Sequence, residues 1–186
     1  MNILDRFRLD GKKAYVTGGA RGIGKSVALA FAQAGADVAI VDIDLEEAEK
    51  TAEEIRSYNV KSFAIKTDIS KPEEVDRMIR EILDAFGTID VAFNNAGICI
   101  NKNVEDMTFE EWCRVIDVNL TGTYLTTKAA GMVMVKNRKG SIINTASMAA
   151  YIIPDAQYHC AYSASKAGIV HLSKALAMEW APYNVR

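Results

Sequence analysis

A chain of 186 residues with 49% hydrophobic and 25% charged side chains has enough apolar material for an ordinary globular core. Its net charge of −2 offers no bulk attraction for nucleic acid or an anionic membrane, and no apolar run reaches the length of a membrane span. Cys99, Cys113 and Cys160 are odd in number and widely spaced, with only His159 and His171 to join them, so neither a disulfide framework nor a metal site is expected. The N-terminal MNILDRFRLDGKK lacks the apolar core of a secretory signal, and the expected location is the cytoplasm.

The stretch Ala14-Tyr15-Val16-Thr17 is short and apolar, as a strand buried on both faces should be. Gly18, Gly19, Gly22 and Gly24 follow, and then a helix-like run from Ser26 to Ala34. Strand, glycine turn and helix start together make a phosphate-binding corner. The glycines allow the tight turn and remove the β-carbons that would keep a pyrophosphate from the backbone of Gly18, Arg21, Gly22, Ile23 and Gly24. The helix N-terminus adds N–H groups and the positive end of its dipole. The spacing is Thr17-Gly18-x-x-x-Gly22-x-Gly24 rather than the general G-x-G-x-x-G, so the strand before and the helix after carry the argument.

Ala36 to Val41 reads as a second buried strand ending in Asp42, about twenty residues past the glycine turn, where an acidic residue can accept hydrogen bonds from an adenosine ribose. The same carboxylate repels a 2′-phosphate and favours NAD over NADP, with Arg21 offsetting part of that repulsion. Asp44 and Glu47 open an amphipathic helix that runs to Asn59. Lys61 to Thr67 is a third strand closed by Asp68 and Ile69, where the carboxylate can meet an adenine amino group. Ser70-Lys71-Pro72-Glu73 reads as a capping box for a helix that stops at Gly87.

Ile89 to Phe93 is a fourth strand, followed by Asn94-Asn95-Ala96-Gly97. Thr108 with Glu111 caps a helix expected to run unbroken to Asn137, with Gly122 and Gly131 inside it. Ser141 to Thr145 is a fifth strand ending at Ser147, and the pattern is helical again from Gln157 to Ala181. Strands and helices alternate without linkers or repeats, which predicts one α/β domain over residues 1–186. Its sheet is parallel and doubly wound, with helices on both faces in three layers. Gly18, Asp42, Asp68, Asn94 and Ser147 all fall at or just after strand ends, where such sheets bind ligands.

Tyr162 and Lys166 are four residues apart on the last helix, hence on one face. A phenol is a poor base near neutral pH, and a neighbouring ammonium stabilises its phenolate. Such a pair can exchange a proton with an alcohol while hydride leaves the carbon. Tyr158 is expected one turn earlier on the same face, without a lysine to activate it, as a pocket wall or substrate hydrogen-bonder. A Ser147–His159–Asp155 hydrolase triad is set aside because no G-x-S-x-G elbow surrounds Ser147.

Thr17-Gly18-x-x-x-Gly22-x-Gly24, Asn94-Asn95-Ala96-Gly97, Ser147 and Tyr162-x-x-x-Lys166, in this order, resemble the short-chain dehydrogenase/reductase family, whose members have the Rossmann fold. The likeness extends from Phe7-x-Leu9-x-Gly11-Lys12 to Asn184-Val185-Arg186. It implies Tyr162 as general acid/base, with Lys166 lowering its pKa and binding the nicotinamide ribose. Ser147 would bond the substrate oxygen, and Asn119 would hold a water relaying protons to Lys166. Asn94, Asn95, Ala96 and Gly97 would support the sheet and line the adenosine side, and Asp68 and Ile69 would hold adenine. The implied reaction is NAD-dependent interconversion of a secondary alcohol and a ketone.

Tyr151, Asp155, Gln157, Tyr158 and His159 offer polar groups suited to a polyol or sugar alcohol; a 3-oxoacyl thioester or a steroid is the alternative substrate, and a non-catalytic, redox-sensing NAD module the alternative role. Family members usually continue past Asn-Val-Arg through a sixth strand and a substrate-covering helix pair. The resemblance therefore predicts a bare edge on the fifth strand, with Ile142, Val170 and Trp180 losing cover. A longer parent protein is the favoured explanation, beside a partner copy that supplies the layer or a chain that binds without turnover. The two long helices, with small residues Gly122, Ala129, Ala130 and Gly131, lead us to expect a homodimer or homotetramer.

Overall fold

Alternation along the strands sorts the interior into two cores, one on each side of the sheet. The computed structural model describes residues 3–153 and 158–186. The strands are β1 (Lys13–Thr17), β2 (Asp37–Asp42), β3 (Ser62–Lys66), β4 (Val91–Asn94) and β5 (Ser141–Asn144), all parallel, in the order β3-β2-β1-β4-β5. The helices are α1 (Gly22–Gln33), α2 (Leu45–Arg56), α3 (Pro72–Phe86), α4 (Phe109–Ile116), α5 (Gly122–Asn137) and α6 (Cys160–Trp180). Ala14 and Val16 of β1, Val38 and Ile40 of β2, and Val91 and Phe93 of β4 pack with α1 and α2. Tyr15, Ala39, Val41 and Ala92, of opposite parity, pack with α3 and α5.

The doubly wound arrangement follows the expected one, and the strand limits agree within two residues. Local starts and stops differ where a competing bond wins. Pro72, pre-set for the first helical position, makes Lys71 the N-cap of α3, in extended backbone and without a side-chain cap. The Ser70 hydroxyl donates to Asp68 Oδ1 at 2.7 Å, and Glu74 rather than Glu73 reaches back to accept from Asp68 N at 2.8 Å, so the expected capping box does not form. Thr108 and Glu111 do form theirs, with both reciprocal bonds.

The helix expected from Thr108 to Asn137 is broken by a π-helical turn, Asp117–Thr121, between α4 and α5. The last helix starts at Cys160 because His159, at φ −143° and ψ 55°, is off the helical path. Gln157, the expected start, and Asp155 lie outside the described residues. The fifth strand is the sheet's edge, as expected, with Ile143 42% exposed, but its start is covered: Val185 bridges Gly140 in parallel, Ile142 N donates to Arg186 O at 2.8 Å, and Arg186 N donates to Gly140 O at 3.2 Å. Two small residues of the α4–α5 region are spent inside the chain, since a β-carbon on Gly122 would lie 2.8 Å from Ile69 and one on Gly131 2.2 Å from the Trp180 ring.

Charged clamps hold the N-terminal ends of the strands. Asp37 accepts from Lys61 N at 2.7 Å and pairs with Lys13, while Asp90 accepts from Lys13 N at 3.0 Å and pairs with Lys139 at 2.9 Å. Burial pushes both carboxyls up, and these donors more than reverse it, leaving both below the usual aspartate range. Their contribution to stability is therefore complete above the unfolded-state pKa, about 4, and is lost as pH falls below it. Asp90→Asn should flatten the acid side of a urea-denaturation stability profile measured between pH 3 and 7, and an unchanged slope would contradict the clamp.

A buried polar chain crosses the sheet nearer its other end. Tyr15 donates to Asn94 Oδ1 at 2.9 Å, Asn94 Nδ2 donates to Asn144 Oδ1 at 2.9 Å and Thr127 Oγ1 at 3.0 Å, and Asn144 Nδ2 donates to Ser173 at 3.0 Å. Desolvation raises the Tyr15 phenol far above its ordinary range, so it stays a neutral donor. Tyr15→Phe keeps the packing but strands Asn94 Oδ1, and should cost about 1–3 kcal/mol in urea denaturation.

Candidate functional site

The C-terminal ends of β1, β2, β3 and β4 open onto a cavity of about 810 Å³. Gly18, Arg21, Asp42, Asp68, Ile69, Ala96 and Gly97 line it, as expected from the sequence. Asn94 does not. Its side chain is 3% exposed and turned into the buried polar chain, so of its two expected roles it takes the one inside the sheet and not the one in the cavity lining. Asn95, expected beside it, does line the cavity. Period-two alternation from buried β4 was the available signal, since it turns neighbours to opposite sides.

Asn95 also fixes the glycine turn. Its Nδ2 donates to Thr17 O and Gly18 O, each at 3.3 Å, while the Thr17 hydroxyl accepts from Asn95 N at 3.0 Å and Ala96 N at 3.1 Å. The two backbones touch, because a β-carbon on Gly18 would lie 2.9 Å from Ala96 Cα. Gly18 and Gly22 take φ of +62° and +57°, and a β-carbon on Gly24 would fall 2.0 Å from Gly18 O. Gly24→Ala cannot be accommodated without opening the turn, whereas Gly22→Ala meets empty space and costs about 1–2 kcal/mol of left-handed strain. Thermal unfolding should show the larger loss for Gly24→Ala.

Arg21, the N-cap of α1, is in extended backbone with no side-chain cap, and the first turn holds no acidic residue. No side chain therefore competes with an anion for the N–H groups there. Asp42 accepts from Ala20 N and Asp44 N, each at 3.1 Å, which aims its carboxylate between the two turns. Burial pushes the Asp68 carboxyl up, but the hydroxyl and N–H of Ser70, with Lys71, hold it below its usual range. Thr67 also lines the cavity, and its buried hydroxyl has no partner among the described residues. A cavity of this size, an uncapped helix start, a fixed carboxylate and an orphaned hydroxyl fit a nucleotide.

The Gly97 end of the cavity leads to α6. A β-carbon on Gly97 would lie 3.2 Å from Asn119 Oδ1 and 3.6 Å from Lys166 Nζ. Asn119, buried in the π-helical turn, accepts from Ile98 N at 2.8 Å and donates to Ile98 O at 2.9 Å and Ser165 Oγ at 3.1 Å. It thus fastens Gly97–Ile98 to α6. Lys166 is 4% exposed and donates to Thr145 O at 2.7 Å, with its Nζ 5.6 Å from the Tyr162 ring centre. Burial pushes the Lys166 pKa down. Ser147 Oγ accepts from Ala149 N at 3.1 Å, capping the short Met148–Ala150 turn that packs on α6, and its hydrogen meets no acceptor among the described residues.

Tyr158 is not where the helix reading put it. It precedes α6, is 62% exposed, and its carbonyl accepts from Lys102 N at 2.6 Å. Buried His159 sits 5.3 Å from the Tyr162 ring centre and its Nδ1 meets Ser163 Oγ at 2.9 Å. Tyr151 is 73% exposed.

The family model described as short chain dehydrogenase matches residues 12–186. The chain belongs to that family. A family structure from Mycobacterium marinum, a short-chain type dehydrogenase/reductase, superposes with a TM-score of 0.97 at 43% identity, covering 100% of this chain and 76% of that one. A structure of NAD⁺-bound xylitol dehydrogenase gives 0.91 at 34% identity, covering 95% and 68%. A probable NADP-dependent mannitol dehydrogenase of Yarrowia lipolytica is 41% identical over 98% of this chain and 66% of its own length. The chain spans 66 to 69% of the length of the first curated relatives it matches.

Proposed function

We propose that the chain carries the nucleotide site and proton-transfer groups of an NAD(H)-dependent oxidoreductase that interconverts a secondary alcohol and a ketone on a polyol or sugar alcohol. The observation that carries this reading is the continuity from the glycine turn, through Asn95-Ala96-Gly97, to Lys166 and its helix neighbour Tyr162. Mannitol and xylitol dehydrogenases among the similar proteins support the polyol class, and they include both NADP- and NAD-linked members. The preference for NAD rests on Asp42, whose carboxylate, held by Ala20 N and Asp44 N, would repel a 2′-phosphate.

In this reading the N–H groups at the start of α1 bind the pyrophosphate, Asp42 the adenosine ribose, and Asp68 with Ile69 the adenine. A bound nicotinamide cofactor supplies the hydride acceptor. Ser147, with its oxygen engaged by Ala149 N, points its hydrogen to the substrate oxygen and holds it for Tyr162. The Tyr162 phenolate takes the hydroxyl proton. Lys166 stabilises that phenolate and, fixed by Thr145 O, also serves the nicotinamide ribose. A water near Asn119 would take a proton from Lys166 as Lys166 receives one from the Tyr162 side, so the ammonium is kept.

The test is NADH production by the purified chain across three- to six-carbon polyols. Turnover with NAD supports the proposal, whereas nucleotide binding without turnover across the panel would leave a binding module. Tyr162→Phe should lower kcat at least about 100-fold while the Kd for NAD stays nearly the same. Appreciable residual rate would remove Tyr162 from the role.

A further inference from the structure

Asp44, outside the residues so far given to the nucleotide, makes two different bonds. Its Oδ1 accepts from Glu47 N at 3.3 Å and caps α2, while its Oδ2 pairs with Arg21 Nη2 at 3.3 Å. Arg21 lines the cavity beside Asp42, and its side chain is 72% exposed. It is thus a cation at the cavity rim, held by a carboxylate other than Asp42. Each oxygen of Asp42 accepts one backbone N–H and keeps a lone pair for a ribose hydroxyl, while Arg21 pairs with Asp44.

We infer that Asp44 is a specificity-determining positioning residue: by tethering Arg21 it withholds the guanidinium from a 2′-phosphate and so strengthens discrimination against 2′-phosphorylated adenosine. The inference rests on the nucleotide reading of this cavity. A guanidinium prefers bidentate pairing with carboxylate or phosphate, and a free Arg21 would compensate for Asp42 at a 2′-phosphate. Discrimination then depends on two carboxylates with separate tasks. Asp42 repels the phosphate, and Asp44 occupies the cation that would attract it.

The substitution Asp44→Asn removes the charge and retains a good N-cap, so α2 keeps its start. The experiment is calorimetric binding of 5′-AMP and of adenosine 2′,5′-bisphosphate to the wild-type chain, Asp44→Asn, Arg21→Ala and the double variant. Asp44→Asn should tighten the bisphosphate relative to 5′-AMP by about two- to fivefold, the scale of an exposed ion pair. That gain should vanish when Arg21 is also replaced. An equal gain in the Arg21→Ala background would overturn the tether, because it would reflect only lost repulsion from Asp44. No gain at all, with 5′-AMP still bound, would also overturn it, and Asp44→Ser, a second capping residue, guards against an artefact of asparagine. Failure of every form to bind 5′-AMP would overturn the nucleotide reading, and this inference with it.

Discussion

Contact between two backbones with no side chain between them is the constraint on which this structure depends. The turn after β1 and the turn after β4 are far apart in sequence, yet Gly18 and Ala96 approach so closely that any β-carbon on Gly18 would collide. Thr17 and Asn95 make that approach favourable, since one hydroxyl accepts two N–H groups and one amide donates to two carbonyls. Buried backbone groups that would be costly unpaired are thereby satisfied without helix or sheet. Everything proposed for the cavity is downstream of this clasp.

The parallel sheet makes the clasp possible and also assigns the two ends of the molecule different work. At one end, aspartates pair with lysines and strand N–H groups, and the strands are pinned. At the other, the same kinds of polar group are arranged around space. Between them, the bonds from Tyr15 through Asn94 and Asn144 to Ser173 tie β1, β4, β5 and α6 into one unit. Movement of the helix that bears Tyr162 and Lys166 would have to break buried bonds, which keeps the proton-transfer side in register with the nucleotide side.

Most of the architecture was legible because it rests on signals that are local and redundant. Two-residue alternation, glycine turns and the capping pair Thr108–Glu111 all mean the same thing wherever they occur. What was illegible depended on competition between nearby groups. Ser70 had the right spacing to cap α3, but Asp68 claimed its hydroxyl and Pro72 fixed the helix start. Asn94 and Asn95 are chemically identical, and only the pleat decides which enters the core. Tyr158 has helical spacing from Tyr162, but His159 leaves the helical path between them. The pairing of Val185 and Arg186 with the fifth strand left no periodic signal, because it involves only a few residues.

The π-helical turn at Asp117–Thr121 has a consequence for how this region can change. It carries the extra residue that lets α4 face the cavity through Cys113 and Arg114 while α5 turns Ala130 and Met134 to the core. A π-turn seats one residue more than an α-turn, so deleting one residue here would let the helix close into regular α geometry and displace the residues of the turn. Asn119 would leave the Ile98 backbone it now holds from both sides. The length of this turn is thus constrained together with Asn119, whose amide meets Ile98 N, Ile98 O and Ser165 at once.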